Sequence, residues 1–166
     1  DYNQYANITG CYFNMNNATR SGGAVYVKGG HAVISNSSFN MANSFLEKVK
    51  PAGGGAIFVE GSDSDVYYSN FTNCVAQADG GAIYWYKSSD LIYCNVVGCN
   101  FINNTAYAYS QQGTRGGGAI YWFESKSSYC TVRDSTFINN SVQSTTKADG
   151  GAILWDSCYD GLIDNC

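Results

Sequence analysis

Charge, proline and histidine are all scarce in this chain of 166 residues. Asp, Glu, Lys and Arg make up only 13% of it, about half the usual share. Surface polarity therefore falls to Asn, Ser, Thr, Tyr and Gly, which give a neutral, hydrogen-bonding exterior of the kind found on extracellular scaffolds. A net charge of −4 supplies no basic field for nucleic acid or an anionic membrane. A single Pro, Pro51, beside 19 Gly excludes collagen-like and Pro-rich disordered chains. His31 is the only His and no Cys-x-x-Cys occurs, so neither a metal nor another cofactor is expected. No apolar run reaches the 18 or so residues of a transmembrane helix. There is also no initiator Met and no signal peptide. The chain opens inside one repeat and closes inside another, and reads as a segment of something longer.

What the chain has in abundance is repetition. Gly-Gly-Ala followed by a branched apolar residue occurs at Gly22–Val25, Gly54–Ile57, Gly80–Ile83, Gly117–Ile120 and Gly150–Ile153. Spacings of 32, 26, 37 and 33 residues fall in the period range of a solenoid, whose units bury their apolar faces only by stacking. A second motif precedes each copy, an Asn-neighboured Phe at Phe13, Phe39, Phe71, Phe101 and Phe137. Five residues before each Phe stands Ile8, Ile34, Val66, Val96 or Val132, and two before it Cys11, Ser37, Ser69, Cys99 or Ser135. Ile163 and Cys166 begin a sixth copy.

Past each Gly-Gly the pattern alternates with period 2, as in a strand. Val25, Ile57, Ile83, Ile120 and Ile153 form one inward column, and Val27, Val59, Trp85, Trp122 and Trp155 another. The opposite face carries Tyr26, Phe58, Tyr84, Tyr121 and Leu154, then Lys28, Glu60, Tyr86, Phe123 and Asp156. Short strands in fixed columns predict an all-β fold, a right-handed parallel β-helix of about five coils stacked about 4.8 Å apart. Residues 1–166 form one such segment. Asn16, Asn104, Asn140 and Asn43 are expected at a left-handed corner, laddered along the axis. Gly-Gly supplies a second bend, where a Cβ would clash. Length variation sits at one corner, in Phe45–Gly53, Tyr107–Gly116 and Gln143–Asp149. That loop edge also holds Arg20, Lys48, Lys50, Arg115 and Lys147.

Secretion is the reading of the sequons. Asn7, Asn17, Asn36, Asn70, Asn103 and Asn139 each begin Asn-x-Ser/Thr, marking candidate N-glycosylation sites on an extracellular surface. Seven Cys in such a compartment suggest disulfides. Cys94 and Cys130 both sit seven residues before their Phe, on adjacent coils and within reach of each other, and Cys158 is a rival partner for Cys130.

The Phe-x-x-Asn and Gly-Gly-Ala-Ile motifs together carry a family resemblance that spans the whole chain. It resembles the adhesin-like surface proteins of methanogenic archaea, and it is similar to the polymorphic outer-membrane proteins of chlamydiae. Phe-x-x-Asn is complete only at Phe13, Phe101 and Phe137; Ala42 and Cys74 replace the Asn elsewhere, so the corner ladder should break there. The resemblance implies a cell-surface adhesin, stalk or filament subunit on a β-helix, and transfers no catalytic residue.

Aromatics are the candidate binding surface. Tyr26, Phe58, Tyr84 and Tyr121, flanked by Tyr86 and Phe123, should form an outward ladder that either stacks on sugar rings or is covered by its own neighbours. The partner would be a cell-surface carbohydrate or protein, or a second copy of the chain joined end to end or laterally, since open coil ends present strand edges. The competing class is a polysaccharide lyase or glycoside hydrolase. Hydrolysis needs two facing carboxylates, and the candidates are Asp79 with Asp149, or Asp63 with Asp65. Asp and Ser in such stretches are commonly turn formers, and no Lys or Arg stands in register with either pair. Glu60, Asp63 and Asp65 are the candidate calcium ligands, although Gly-Ser-Asp turns are common without a metal. No enzymatic activity is expected.

Overall fold

Five rounds of the same short segments generate five coils. The computed structural model describes residues 5–45, 52–86, 92–107, 116–123, 128–145, 147–157 and 160–166. The first coil consists of β1 (Tyr5–Thr9), β2 (Tyr12–Asn14), β3 (Asn17–Ala18) and β4 (Val25–Lys28). The second is β5 (His31–Ser35), β6 (Ser38–Asn40), β7 (Asn43–Ser44) and β8 (Ile57–Glu60). The third is β9 (Asp63–Tyr67), β10 (Asn70–Thr72), β11 (Val75–Ala76) and β12 (Ile83–Tyr86). The fourth is β13 (Ile92–Val97), β14 (Asn100–Ile102), β15 (Thr105–Tyr107) and β16 (Ile120–Phe123). The fifth is β17 (Ser128–Arg133), β18 (Thr136–Ile138), β19 (Ser141–Gln143) and β20 (Ile153–Asp156), and β21 (Leu162–Asp164) starts a sixth turn. No helix among the described residues is long and apolar enough to cross a membrane, which says nothing of β-barrel strands.

Corresponding strands pair in parallel into four sheets, in the order β1-β5-β9-β13-β17-β21, β2-β6-β10-β14-β18, β3-β7-β11-β15-β19 and β4-β8-β12-β16-β20. This is the parallel β-helix expected from the columns. The register is also the expected one: Ile8 lies against Ile34, Val96 against Val132 and Val132 against Ile163. Inside, each column is a stack of like side chains. Phe13, Phe39, Phe71, Phe101 and Phe137 lie ring on ring with centroids 4.7–4.9 Å apart and planes within 5°. Trp85, Trp122 and Trp155 stack at 4.7 and 4.8 Å. With the Ile and Val columns they form one continuous apolar core, whose burial drives the stacking.

Polar ladders hold the corners. Where the chain turns from the first sheet to the second, the backbone N–H of Cys11 donates to Ser37 Oγ, Ser37 to Ser69 Oγ, Ser69 to Cys99 Sγ, and Cys99 to Ser135 Oγ, at 3.1–3.5 Å. Each of these turns passes through a left-handed residue, Gly10, Asn36, Tyr68, Gly98, Asp134 or Asn165.

The Asn corner departs from expectation. The left-handed residues are Met15, Met41, Asn73, Asn103 and Asn139, one position before Asn16, Asn104 and Asn140. That shift aims the Asn104 side chain inward, where its amide satisfies the bent backbone. Asn104 Oδ1 accepts from the Cys74 N–H at 3.0 Å, while its Nδ2 donates to Phe71 O at 3.0 Å and Asn140 Oδ1 at 2.9 Å. Asn43 instead donates to Asn17 on the outside, at 3.0 Å. The ladder stops at Cys74, whose thiol makes a longer 3.7 Å contact with Phe39 O in place of the amide.

The two glycines of Gly-Gly answer different demands, the first in all five copies and the second in the first four. The first is left-handed, φ +61 to +70° over the five copies, and a Cβ there would meet its own coil's carbonyl. The second lies against the neighbouring coil: a Cβ on Gly23, Gly55, Gly81 or Gly118 would stand 2.0–2.2 Å from the next coil's glycine carbonyl oxygen.

Candidate functional site

The strand after Gly-Gly is buried on both faces, which corrects the expected aromatic surface. Phe58, Tyr84, Tyr121 and Phe123 are buried and form a second apolar cluster, with Tyr86 and Leu154 packed beside it. The cover is the chain returning from the variable corner. Ser21 bridges Gly53, and Gly53 bridges Asp79. The same row continues through hydrogen bonds from Gly80 N to Gly116 O and from Gly117 N to Asp149 O. Ala52, Ala78 and Asp79 in this row are buried, and the Gly53 backbone lies so close to the Tyr84 ring that a Cβ would clash with it. The rings therefore cover one another under a fifth strip of backbone. Tyr84 stacks on Tyr121 at 4.8 Å, and Phe58 meets Tyr84 edge-on at 5.2 Å.

Tyr26 alone of that strip keeps an open ring, 48% exposed. It edges a cleft of about 270 Å³ lined by Arg20, Ser21 and Phe58. Its hydroxyl donates to the Glu60 carboxylate. Partial burial first, and then Glu60, push its pKa up to about 12. Glu60 also pairs with Lys28 at 3.7 Å, so its carboxylate is engaged within the strand.

Three exposed tyrosines share a face elsewhere, the outer face of the first sheet, while Tyr12, Phe45 and Tyr68 are exposed singly. Alternation along β1, β5, β9, β13 and β17 sends Ile8, Ile34, Val66, Val96 and Val132 inward, so Tyr5, His31, Asp63, Tyr93 and Tyr129 project outward. Tyr5, Tyr93 and Tyr129 are 70%, 57% and 46% exposed. Tyr93 and Tyr129 stack at 5.5 Å, and Tyr5 meets His31 edge-on at 5.7 Å. Two residues further along each strand runs a second row, Asn7, Val33, Asp65, Asn95 and Thr131, polar in all but the second coil. Asp65 Oδ1 accepts from the Asn95 N–H at 2.9 Å and from Asn95 Nδ2 at 2.8 Å, and Thr131 Oγ1 donates to Asn95 Oδ1 at 2.7 Å. His31 bridges Asp63, at 3.2 Å from Nδ1, and Asp65, at 3.6 Å from Nε2. Burial, and after it the Asp65 charge, raise the pKa of Tyr67 above the ordinary tyrosine range. The signal for this face was present in the sequence: the position eight before each Phe reads Tyr5, His31, Asp63, Tyr93 and Tyr129.

The remaining candidates scatter. Asp79 is buried in the return row, whereas Asp149 is exposed. Asp63 and Asp65 share the His31 bridge. Among the described residues no group of three or more His, Cys, Asp or Glu is placed to hold a metal ion. All six sequon asparagines, Asn7, Asn17, Asn36, Asn70, Asn103 and Asn139, are exposed. Cys94 and Cys130 are opposed in register on β13 and β17, and both are buried. Cys158, Lys48, Lys50 and Arg115 lie outside the described residues.

A family model of the Chlamydia polymorphic membrane protein repeat matches residues 98–121. The matched stretch runs from the Gly98 corner through Phe101 and Asn104 to Gly117-Gly118-Ala119-Ile120-Tyr121, which is one pass of the repeat. The chain is thus similar to that repeat over one of its five coils. No curated protein and no solved structure matches the chain.

Proposed function

We propose that this chain is a segment of a cell-surface adhesive β-helix, with the outer face of the first sheet as its contact surface. Its repeat is akin to those of surface-exposed outer-membrane proteins, and to the adhesin-like proteins of methanogenic archaea whose motifs it also carries. One observation supports the contact surface above all others. Among the described residues this sheet face sets two stacked, open tyrosine rings, Tyr93 and Tyr129, beside carboxylate, amide and hydroxyl groups held in fixed positions.

Such a face suits a polyhydroxylated partner. Ring surfaces take the apolar face of a sugar, while Asp65, Asn95 and Thr131 offer acceptors and donors that need no reorganisation on binding. An exterior poor in charge suits hydrogen bonding rather than electrostatic capture. Exposed sequon asparagines support an extracellular setting.

The test is retention on immobilised cell-wall and host-type polysaccharides by the wild type, by Tyr93→Ala/Tyr129→Ala, and by Tyr26→Ala. Each aromatic contact contributes about 0.5–1.5 kcal/mol beyond its buried area, so the double variant should bind roughly tenfold or more weakly. The Tyr26 variant should bind normally. Equal binding by all three would exclude the face. Product release from the same polysaccharides, abolished by Asp63→Asn, would overturn the reading in favour of an enzyme.

A further inference from the structure

We infer that Cys94 and Cys130 join as a disulfide that staples the fourth coil to the fifth. The two are direct partners in the parallel pairing of β13 with β17. Paired residues of neighbouring strands stand about 4.8 Å apart, inside the roughly 4.4–6.8 Å between Cα atoms that a disulfide spans. Both side chains point into the core and neither is accessible to solvent.

Among the described cysteines no other two are neighbours. Cys11, Cys99 and Cys166 share a corner column, with Ser37 and Ser69 standing between the first two and Ser135 between the last two. Cys74 stands alone at the Asn corner, above Asn104. The residue register places opposite Cys130 on the sixth turn is Gly161, since Thr131 pairs with Leu162. Cys158 is three residues short of that position, so the rival pairing is out of register.

The chemistry balances by exchange. Two thiols and one external disulfide, a small-molecule or oxidoreductase disulfide of an oxidising compartment, give the Cys94–Cys130 bond and two released thiols that carry the protons. Exchange requires a thiolate, and burial, followed by the adjoining Cys130, holds the Cys94 thiol well above its ordinary range. The bond therefore forms while the coils are still assembling, and afterwards lies beyond the reach of reductants. Its place is also where closure costs most. The 94–130 span encloses the whole fourth coil with its Tyr107–Gly116 insertion, the longest of the five, and the entropy that a cross-link removes from the unfolded chain grows with such length.

The experiment uses the full chain secreted through an oxidising compartment, denatured in acid without reductant, alkylated and digested. Five of the seven cysteines should be alkylated, and one cross-linked peptide pair should carry Cys94 and Cys130. Cys158→Ser should leave that pair intact, and reduction should lower the urea midpoint of the wild type while leaving that of Cys94→Ala/Cys130→Ala unchanged. Alkylation at all seven positions, or a cross-link from Cys130 to Cys158, would overturn the inference. Neither result bears on polysaccharide retention, so this inference and the adhesive reading fail separately.

Discussion

Three alanine substitutions in one motif separate the two demands that Gly-Gly meets. At Gly118 a Cβ would lie 2.0 Å from Gly151 O and 2.6 Å from the Ser141 backbone. Relief requires the fourth and fifth coils to part by about an ångström, which stretches Gly118 N to Gly150 O, Ala119 N to Ala152 O and Ser141 N to Asn104 O, now 2.8–3.0 Å. Two or three such bonds at about 1 kcal/mol each, with roughly 1–3 kcal/mol of overpacking, put the cost near 4 kcal/mol. For a chain of this size that lowers Tm by on the order of 10 °C. Gly151 occupies the same motif position in the last copy, where the nearest atom to a Cβ is Asn140 O at 3.9 Å. Its backbone is not left-handed, so Ala there should leave Tm unchanged or raise it slightly through the unfolded chain, about 0.4–1 kcal/mol. Gly150 is the opposite control. It is left-handed, and a Cβ would meet Ile153 O of its own coil at 2.3 Å, so Gly150→Ala should damage the fold through its own coil alone. Thermal and urea unfolding followed by circular dichroism would rank them. If Gly151→Ala proved as harmful as Gly118→Ala, coil-to-coil contact would not be the reason for the second glycine.

Asn104→Ala leaves the buried Cys74 N–H without its partner, at about 1–3 kcal/mol, and removes the bonds to Phe71 O and Asn140, so urea unfolding should show a loss of about 2 kcal/mol. Cys74→Asn should extend the same ladder and raise the midpoint. Partial burial, and then Glu60, push the Tyr26 pKa up from its ordinary 10 to about 12. The stabilisation that its neutral hydroxyl provides is thus complete below pH 10 and is lost as the pH rises through about 12. Ultraviolet titration should find one tyrosine fewer in the highest step for Tyr26→Phe, and a lower last step for Glu60→Gln. In native thiol labelling Cys166, which is exposed, should react first and Cys11 next, whereas Cys74 and Cys99, pushed by burial to about 12 and about 11, should stay unlabelled until the coils open.

The fold was readable because a solenoid writes its contacts as columns: residues that touch in space, such as Phe71 and Phe101, recur at the same place in the motif. Period-2 alternation placed Ile83 and Trp85 inside correctly. It misplaced Tyr84 and Tyr121, because alternation within a strand distinguishes its two faces without reporting what chain lies over the outer one. The cover had its own trace, the small or acidic column Ser21, Gly53, Asp79, Gly116 and Asp149 just before Gly-Gly, whose size permits close approach of backbone to ring. The one-residue shift of the left-handed corner was less accessible. Met15 and Met41 hold φ of 55° and 49°, a conformation that Met seldom adopts, and only the inward need of the next side chain explains it.

Stability and recognition are carried by different columns here. Every coil is held by its inward stack, its backbone pairing and its corner ladders, and these repeat almost unchanged from Phe13 to Phe137. The outward rows of the first sheet enter these only where Asp65 accepts the Asn95 N–H, and the outermost row does not repeat: Tyr5, His31, Asp63, Tyr93 and Tyr129 differ in charge, size and chemistry from coil to coil. Had those positions served only to cover the sheet, a uniform row like the buried ring cluster over the fourth sheet would have sufficed. Asp65 takes up the Asn95 backbone N–H where β9 and β13 begin to pair, and is held besides by Asn95 Nδ2 and by His31. The stacked, open rings of Tyr93 and Tyr129 beside it satisfy no main-chain group; that is the physical argument for placing recognition on that face, and the paired tyrosine substitutions test it without touching the stack beneath.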